Sequence, residues 1–245
     1  MSQKIPIMGV PIDKVTMEEA ANQVVGYLEG TGQHMVFTPN PEIIMEAQGD
    51  REMMHILKKA DLVVADGIGV VLASKILRVP TLPERVGGFD LMQTVLNKIK
   101  DKDIRVYFLG SKPGVAAEAA KNMKKKYPGI QIVGESDGYF TQEDEAGLIN
   151  TIKDLKVNLL LVGLGAPRQE KWINQHIERL GVNVAVGVGG SLDVMAGVVK
   201  RAPKIYQKLG LEWFYRLITN PKRAKRMINL PIFGFKVMIM AIKGQ

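Results

Sequence analysis

Seven short apolar runs, with helix-patterned stretches between most of them, set the first limit on what this chain can fold into. The runs cover residues 5–12, 34–38, 62–65, 105–109, 130–134, 158–163 and 182–188. Several are apolar throughout, as strands covered on both faces are. Residues 90–100, 113–126 and 168–180 carry helical spacing. Thr16 with Glu19, and Thr141 with Asp144, have the form of capping boxes that open helices. This alternation predicts an α/β fold, a Rossmann-like and mainly parallel sheet with flanking helices.

In open sheets of that type, ligands gather beyond the carboxyl ends of the strands. The residues that follow each run are therefore the candidate site. The second run leads into Thr38-Pro39-Asn40-Pro41-Glu42 and the third into Asp66-Gly67. The fourth, sixth and seventh lead into the turns GSKPG, GLGAP and GVGGS. Glycine lets backbone N–H groups approach a phosphate, and a following helix N-terminus favours its charge. Together the turns point to a phosphate-bearing ligand held near Gly110, Ser111, Gly165 and Gly189. Tight strand-to-helix turns also use glycine for their own geometry. None of the three is a complete GxGxxG or Walker A loop.

Asp66 admits two readings. As the N-cap of a helix over 68–77 it would bond that helix's first amides. As a general base it would take a proton from an attacking hydroxyl within hydrogen-bond reach. Thr38 and Asn40 offer a hydroxyl and an amide in a proline-stiffened turn, which is also ordinary turn chemistry. Arg168 and Gln169 open a helix. Arg85, in Pro83-Glu84-Arg85-Val86-Gly87-Gly88, has the fork of donors that suits a diphosphate. Its alternative is a surface ion pair with Glu84 or Asp90.

Composition removes several chemistries. With no cysteine there is no disulfide framework, thiolate nucleophile or zinc–thiolate site, which fits a reducing cytoplasm. The three histidines, His34, His55 and His176, match no ligand spacing. Asp101-Lys102-Asp103 has the Asp-x-Asp form that sugar-nucleotide enzymes use for a divalent ion. It precedes a strand, however, and belongs at the sheet's other end. The expectation is a chain that needs no metal and no cofactor. No apolar stretch reaches the roughly 18 residues of a membrane span, and the N-terminus lacks a secretion signal.

Charge is divided unevenly. From Lys200 to the end there are eleven Lys and Arg and one acid, Glu212, a net of +10 within a chain of net +8. A boundary at 201–203 therefore separates a near-neutral α/β domain, residues 1–200, from a basic amphipathic appendage, residues 201–245. In the appendage, Trp213, Phe214, Leu217 and Ile218 form an apolar face, and Lys222, Arg223, Lys225 and Arg226 form a basic cluster. The apolar stretch 230–242 is too short to span a bilayer and suits either an interfacial helix or a terminal core helix. Such a tail implies a polyanionic partner. Basic–aromatic interleaving of the nucleic-acid kind is weak, so an anionic membrane surface is the preferred reading. The apolar tail also leaves room for a homo-oligomer.

Two other function classes make different demands on the pattern. A nucleotide-dependent oxidoreductase should carry GxGxxG after its first strand, yet 5–12 is followed by Asp13-Lys14-Val15-Thr16. A non-catalytic RNA-binding protein would rest on the basic tail alone.

Taken together, the motifs resemble the WecG/TagA/CpsF glycosyltransferases, especially the TagA-type members. The matching residues are Phe37-Thr38-Pro39-Asn40-Pro41-Glu42, Ala65-Asp66-Gly67, Arg85-Val86-Gly87-Gly88, and Gly163-Leu164-Gly165 with Pro167, Gln169-Glu170 and Trp172. They continue with Gly187-Val188-Gly189-Gly190, Asp193, Arg201-Ala202-Pro203 and Gly210-Leu211-Glu212-Trp213. The resemblance implies an inverting transfer of N-acetylmannosamine from UDP-N-acetylmannosamine to N-acetylglucosamine on undecaprenyl diphosphate, in teichoic acid synthesis at the inner membrane face. It implies Asp66 as the base, with Thr38, Asn40 and Gln169 positioning sugars. Tyr139, Asp193 and the glycine turns would hold UDP, and Arg85 would face the diphosphates. Arg216, Arg223 and Arg226 are implied to complete the site from a membrane-docking appendage.

Overall fold

The computed structural model describes residues 2–219 and 227–243. Its centre is a six-stranded, wholly parallel sheet made of β3 (His34–Phe37), β4 (Leu62–Val63), β5 (Arg105–Gly110), β6 (Gln131–Ser136), β7 (Leu159–Gly163) and β8 (Val184–Gly187). Across the sheet the order is β4-β3-β8-β7-β5-β6. The flanking helices are α1 (Met17–Glu29), α2 (Pro41–Gly49), α3 (Arg51–Lys59), α4 (Ile68–Ile76), α5 (Gly88–Ile99), α6 (Val115–Lys126), α7 (Gln142–Asp154) and α8 (Arg168–Leu180). After β8 come α9 (Ser191–Met195), α10 (Lys204–Lys208), α11 (Glu212–Thr219) and α12 (Asn229–Lys243).

Strand periodicity explains why the runs are apolar throughout. Leu159 and Leu161 of β7 enter the core on one face of the sheet, and Leu160 and Val162 enter the core on the other. Val36 and Phe37 of β3 divide in the same way. A strand with helices over both faces has no side left for polar residues. Both expected capping boxes are present: Thr16 with Glu19 opens α1, and Thr141 with Asp144 opens α7.

The first run departs from expectation. Residues 5–12 are not one strand of the parallel sheet but a separate antiparallel hairpin, β1 (Lys4–Ile7) against β2 (Val10–Asp13). Met8 and Gly9 reverse the chain with φ of 50° and 80°, the geometry of a two-residue hairpin turn. Pro6 and Pro11 pair across it, and neither has the amide that a central strand must donate. The segment Asp101-Lys102-Asp103 lies between α5 and β5, on the amino side of the sheet, as expected of a turn there.

Beyond residue 201 the chain remains tied to the sheet domain. Helix α12 packs on α2 and α4, and its Phe233 and Val237 are buried in the cluster that holds Ile44 and Val70. Its opposite face exposes Phe235, Met238 and Ile242, and Ile205 of α10, Leu209 just after it and Ile218 of α11 are exposed as well. The tail helix thus combines the two sequence readings, a core side and an uncovered apolar side. Among the described residues no helix is long and apolar enough to cross a membrane.

Candidate active site

The cleft of interest lies where the turns after β4, β3, β8 and β7, four adjacent strands, converge at their carboxyl ends. Its volume is about 290 Å³. Thr38 and Asn40 enter from the β3 turn, Asp66 from the β4 turn, Gly165 and Gln169 from the β7 turn, and Gly189 from the β8 turn. Arg85, from the loop before α5, closes one side.

Asp66 is not the cap of the helix that follows it. The N-cap of α4 is Gly67, with no side-chain cap bond and φ 116°, a conformation that favours glycine. The Asp66 carboxylate turns instead toward the start of α5, where Gly88 N–H donates to its Oδ2 at 3.4 Å. Thr38 stands beside the same turn: a Cβ built on Gly88 would lie 2.7 Å from Thr38 Oγ1. Glycine at 88 therefore lets hydroxyl, amide and carboxylate share one corner of the cleft. Asn40 does cap its helix, its side chain accepting from Ile43 N–H at 3.0 Å. That bond uses only the amide oxygen.

Gln169 is held from both ends. Its Oε1 accepts from Gly189 N–H at 2.9 Å, and its Nε2 donates to Glu170 Oε1 at 2.8 Å. Glu170 is 2% exposed, and burial pushes its carboxyl up to about 7. Its Oε2 has no hydrogen-bond partner among the described residues. The amide plane of Gln169 is thus fixed by two groups, one a backbone amide of the β8 turn and the other a buried carboxyl.

Arg85 sits among acids. It donates to Glu212 Oε1 at 2.9 Å and to Asp90 Oδ2 at 3.2 Å. Burial works against its charge, but Asp66, Glu212 and Asp90 outweigh it and hold the guanidinium above its ordinary pKa. Arg201 reaches the same Asp90 oxygen at 2.6 Å and lies over the Phe89 ring at 4.9 Å. The expected alternative partner Glu84 is engaged elsewhere, accepting from Met17 N–H.

Other expected residues fall outside the cleft. Asp193 lies on α9, whose Ser191 and Val194 do line it. Gly110 and Ser111 form the β5 turn, which is bonded to its neighbours: Ser111 N–H donates to Gly163 O, and Gly138 N–H donates to Ser111 O. Tyr139 lines a separate cavity beyond β5 and β6, together with Ser136 and Asp137, and is 69% exposed. Of the three glycine turns, those at Gly165 and Gly189 reach the cleft, Gly114 lines the separate cavity, and Gly110 and Ser111 line neither. Arg216 belongs to α11, and Arg223 and Arg226 lie outside the described residues.

Asp90, expected as an ion-pair partner of Arg85, is one, whereas three further participants, Glu170, Arg201 and Glu212, were given no role of their own from the sequence. Glu212 did carry a signal, as the lone acid in a segment of eleven cations. In the structure it pairs with Arg85, from outside that segment, and lies 3.8 Å from Arg201 at the cleft. Among the described residues no group of three or more His, Cys, Asp or Glu is placed to hold a metal ion.

The family model described as "Glycosyl transferase WecG/TagA/CpsF family" matches residues 5–245. A protein of Bacillus spizizenii is 40% identical over 212 residues, 86% of this chain and 81% of the relative. One of Staphylococcus aureus is 36% identical over 236 residues, 96% of this chain and 92% of the relative. Both relatives are named N-acetylglucosaminyldiphosphoundecaprenol N-acetyl-beta-D-mannosaminyltransferase.

Proposed function

This chain belongs to the WecG/TagA/CpsF family of glycosyl transferases, and from that membership we propose that it transfers N-acetylmannosamine from UDP-N-acetylmannosamine to N-acetylglucosamine-diphospho-undecaprenol. The observation that carries the reading onto residues is the position of Asp66. Its carboxylate is turned away from α4 and toward a cleft shared by Thr38, Gln169 and Arg85.

In this reaction Asp66 takes the proton of the acceptor hydroxyl. The hydroxyl oxygen then bonds to the anomeric carbon of N-acetylmannosamine, and the bond from that carbon to the diphosphate oxygen breaks. The electron pair leaves with UDP, and attack from the opposite face inverts the configuration. Thr38, Asn40 and Gln169 hold the sugars. Negative charge on the departing diphosphate is met by Arg85, by the glycine turns at 165 and 189, and by the N-terminus of α8. Arg85 is paired with Glu212 and Asp90, and a diphosphate would take their place. Tyr139 and Asp193, which lie outside the cleft, keep a nucleotide-binding role only from the family resemblance. Arg216, Arg223 and Arg226 are assigned to the acceptor diphosphate.

The reading includes no metal ion, because cationic side chains and backbone amides fill the charge-stabilising role. Chelation by EDTA should leave the rate unchanged. It also includes a position at the inner face of the cytoplasmic membrane, supported by the +10 charge from Lys200 onward and the exposed apolar side chains of α10 to α12.

The test is product analysis with UDP-N-acetylmannosamine and the lipid-linked N-acetylglucosamine acceptor. Wild type should form the disaccharide lipid. Asp66→Asn should lower kcat by about 10²–10⁴ while still binding UDP. Undiminished turnover in the variant would remove Asp66 from its role. Failure of wild type to transfer this sugar would remove the donor assignment.

A further inference from the structure

A second hollow opens from the active-site cleft. Its volume is about 520 Å³, and it shares Asn40, Asp66, Arg85 and Glu212 with the cleft. Beyond that shared mouth its character changes. One wall is a stripe of α4, Ile68, Leu72 and Ile76, spaced by four and therefore aligned along one helix face. These three are 38%, 45% and 42% exposed, a large uncovered area for a helix that is otherwise packed. The facing wall is α12, through Leu230, Phe233 and Val237.

We propose that this groove between α4 and α12 holds the first part of the acceptor's polyprenyl chain, the segment next to its diphosphate. The inference rests on the proposed acceptor being a prenyl diphosphate. Arg85 and Asp66 stand at the junction of the two hollows. An amphiphile with its sugar hydroxyl at Asp66 has its far, apolar end directed past that junction into the groove. The groove is concave, apolar and within the roughly 300–1,000 Å³ typical of ligand sites. Its two walls run along paired helices, which suits a linear chain of branched apolar units. A bilayer surface or a second copy of this chain would be expected to cover a flat or convex face, and neither accounts for continuity with the catalytic carboxylate.

Gly234 supplies the probe. It lies on α12 in the groove lining, and a Cβ built there meets nothing within 4 Å. Its φ is ordinary, so Gly234→Leu adds bulk to the groove and raises helix propensity. The measurement is binding of undecaprenyl diphosphate and of isopentenyl diphosphate, whose single prenyl unit reaches only the mouth, in detergent, read from the fluorescence of Trp213, which also lines the groove. Wild type should bind the long chain more tightly than the short one. Gly234→Leu should lose about tenfold in long-chain affinity and change little for the short chain. Leu72→Asn, on the opposite wall, should act in the same direction.

Equal affinity of wild type for the two chains would overturn the proposal, as would equal losses for both in the variants. A parallel loss of vesicle binding would make the face a bilayer contact instead, and a shift in solution mass would make it a contact between copies. A protein that shows the chain-length gain but transfers no N-acetylmannosamine keeps the groove and refutes the assigned reaction. One that transfers the sugar with no chain-length gain does the reverse.

Discussion

At the scale of single residues, burial and hydrogen bonding decide roles that residue type leaves open. Asp66 reads from sequence as a cap or a base, and the geometry of Gly67 removes the cap. Glu170 reads as part of a helix's first turn, yet it is buried and bonded to Gln169. Its carboxyl is raised from the ordinary 4.5 to about 7 by burial. Between those values the unfolded chain has released the proton while the folded chain keeps it. Stability from this group is therefore greatest below about pH 4.5, falls as pH rises toward 7, and then levels off, a change of roughly 3 kcal/mol. Glu170→Gln keeps an acceptor for Gln169 and cannot ionise. Urea unfolding of both proteins at pH 5 and pH 8 should show the variant gaining about 1–3 kcal/mol relative to wild type at the higher pH. A stability difference that does not change with pH would mean that Glu170 is already ionised at pH 5, or is hydrated.

At the scale of elements, helix starts place the chemistry. The two capping boxes were legible because each needs only a hydroxyl and an acid three residues apart. The start of α5 was not, since its N-cap is Gly87 with no side-chain bond. Its function depends on what it touches, the Thr38 hydroxyl and the Asp66 carboxylate, both distant in sequence. Gly88→Ala tests that contact. The added Cβ would stand 2.7 Å from Thr38 Oγ1, so either the hydroxyl or the helix start must move. A displacement near 1 Å at a reacting site costs about 10²-fold in rate. The expected outcome is that loss in kcat with a melting temperature within a few degrees of wild type. Unfolding of the variant at ordinary temperature, or wild-type kcat, would count against this positioning role. The hairpin β1–β2 was illegible for a related reason: reversal at Met8-Gly9 leaves the apolar pattern of 5–12 uninterrupted.

At the scale of the whole molecule, charge and apolar surface are gathered in the C-terminal segment. The chain should sediment with anionic vesicles and less with neutral ones. Raising salt from 0.1 to 1 M shortens the screening length from about 10 to about 3 Å and should release much of it. Phe235→Asp combined with Ile242→Asp, both on the uncovered side of α12, should weaken the remaining binding. Retention by neutral vesicles equal to that by anionic ones would show that the basic charge has no part in docking. The amino-acid sequence by itself determined the α/β class, the carboxyl-end location of the turns and the charge division, because these follow from local periodicity and from counting. It also carried the family motifs. Only the tertiary structure decided that Asp66 leaves its own helix and turns toward α5. The same holds for the buried Glu170 that fixes Gln169, and for Glu212 returning from the tail to Arg85. It likewise opened an apolar groove beside the cleft. Each of these joins residues far apart in the chain, through burial and charge pairing that no local pattern encodes.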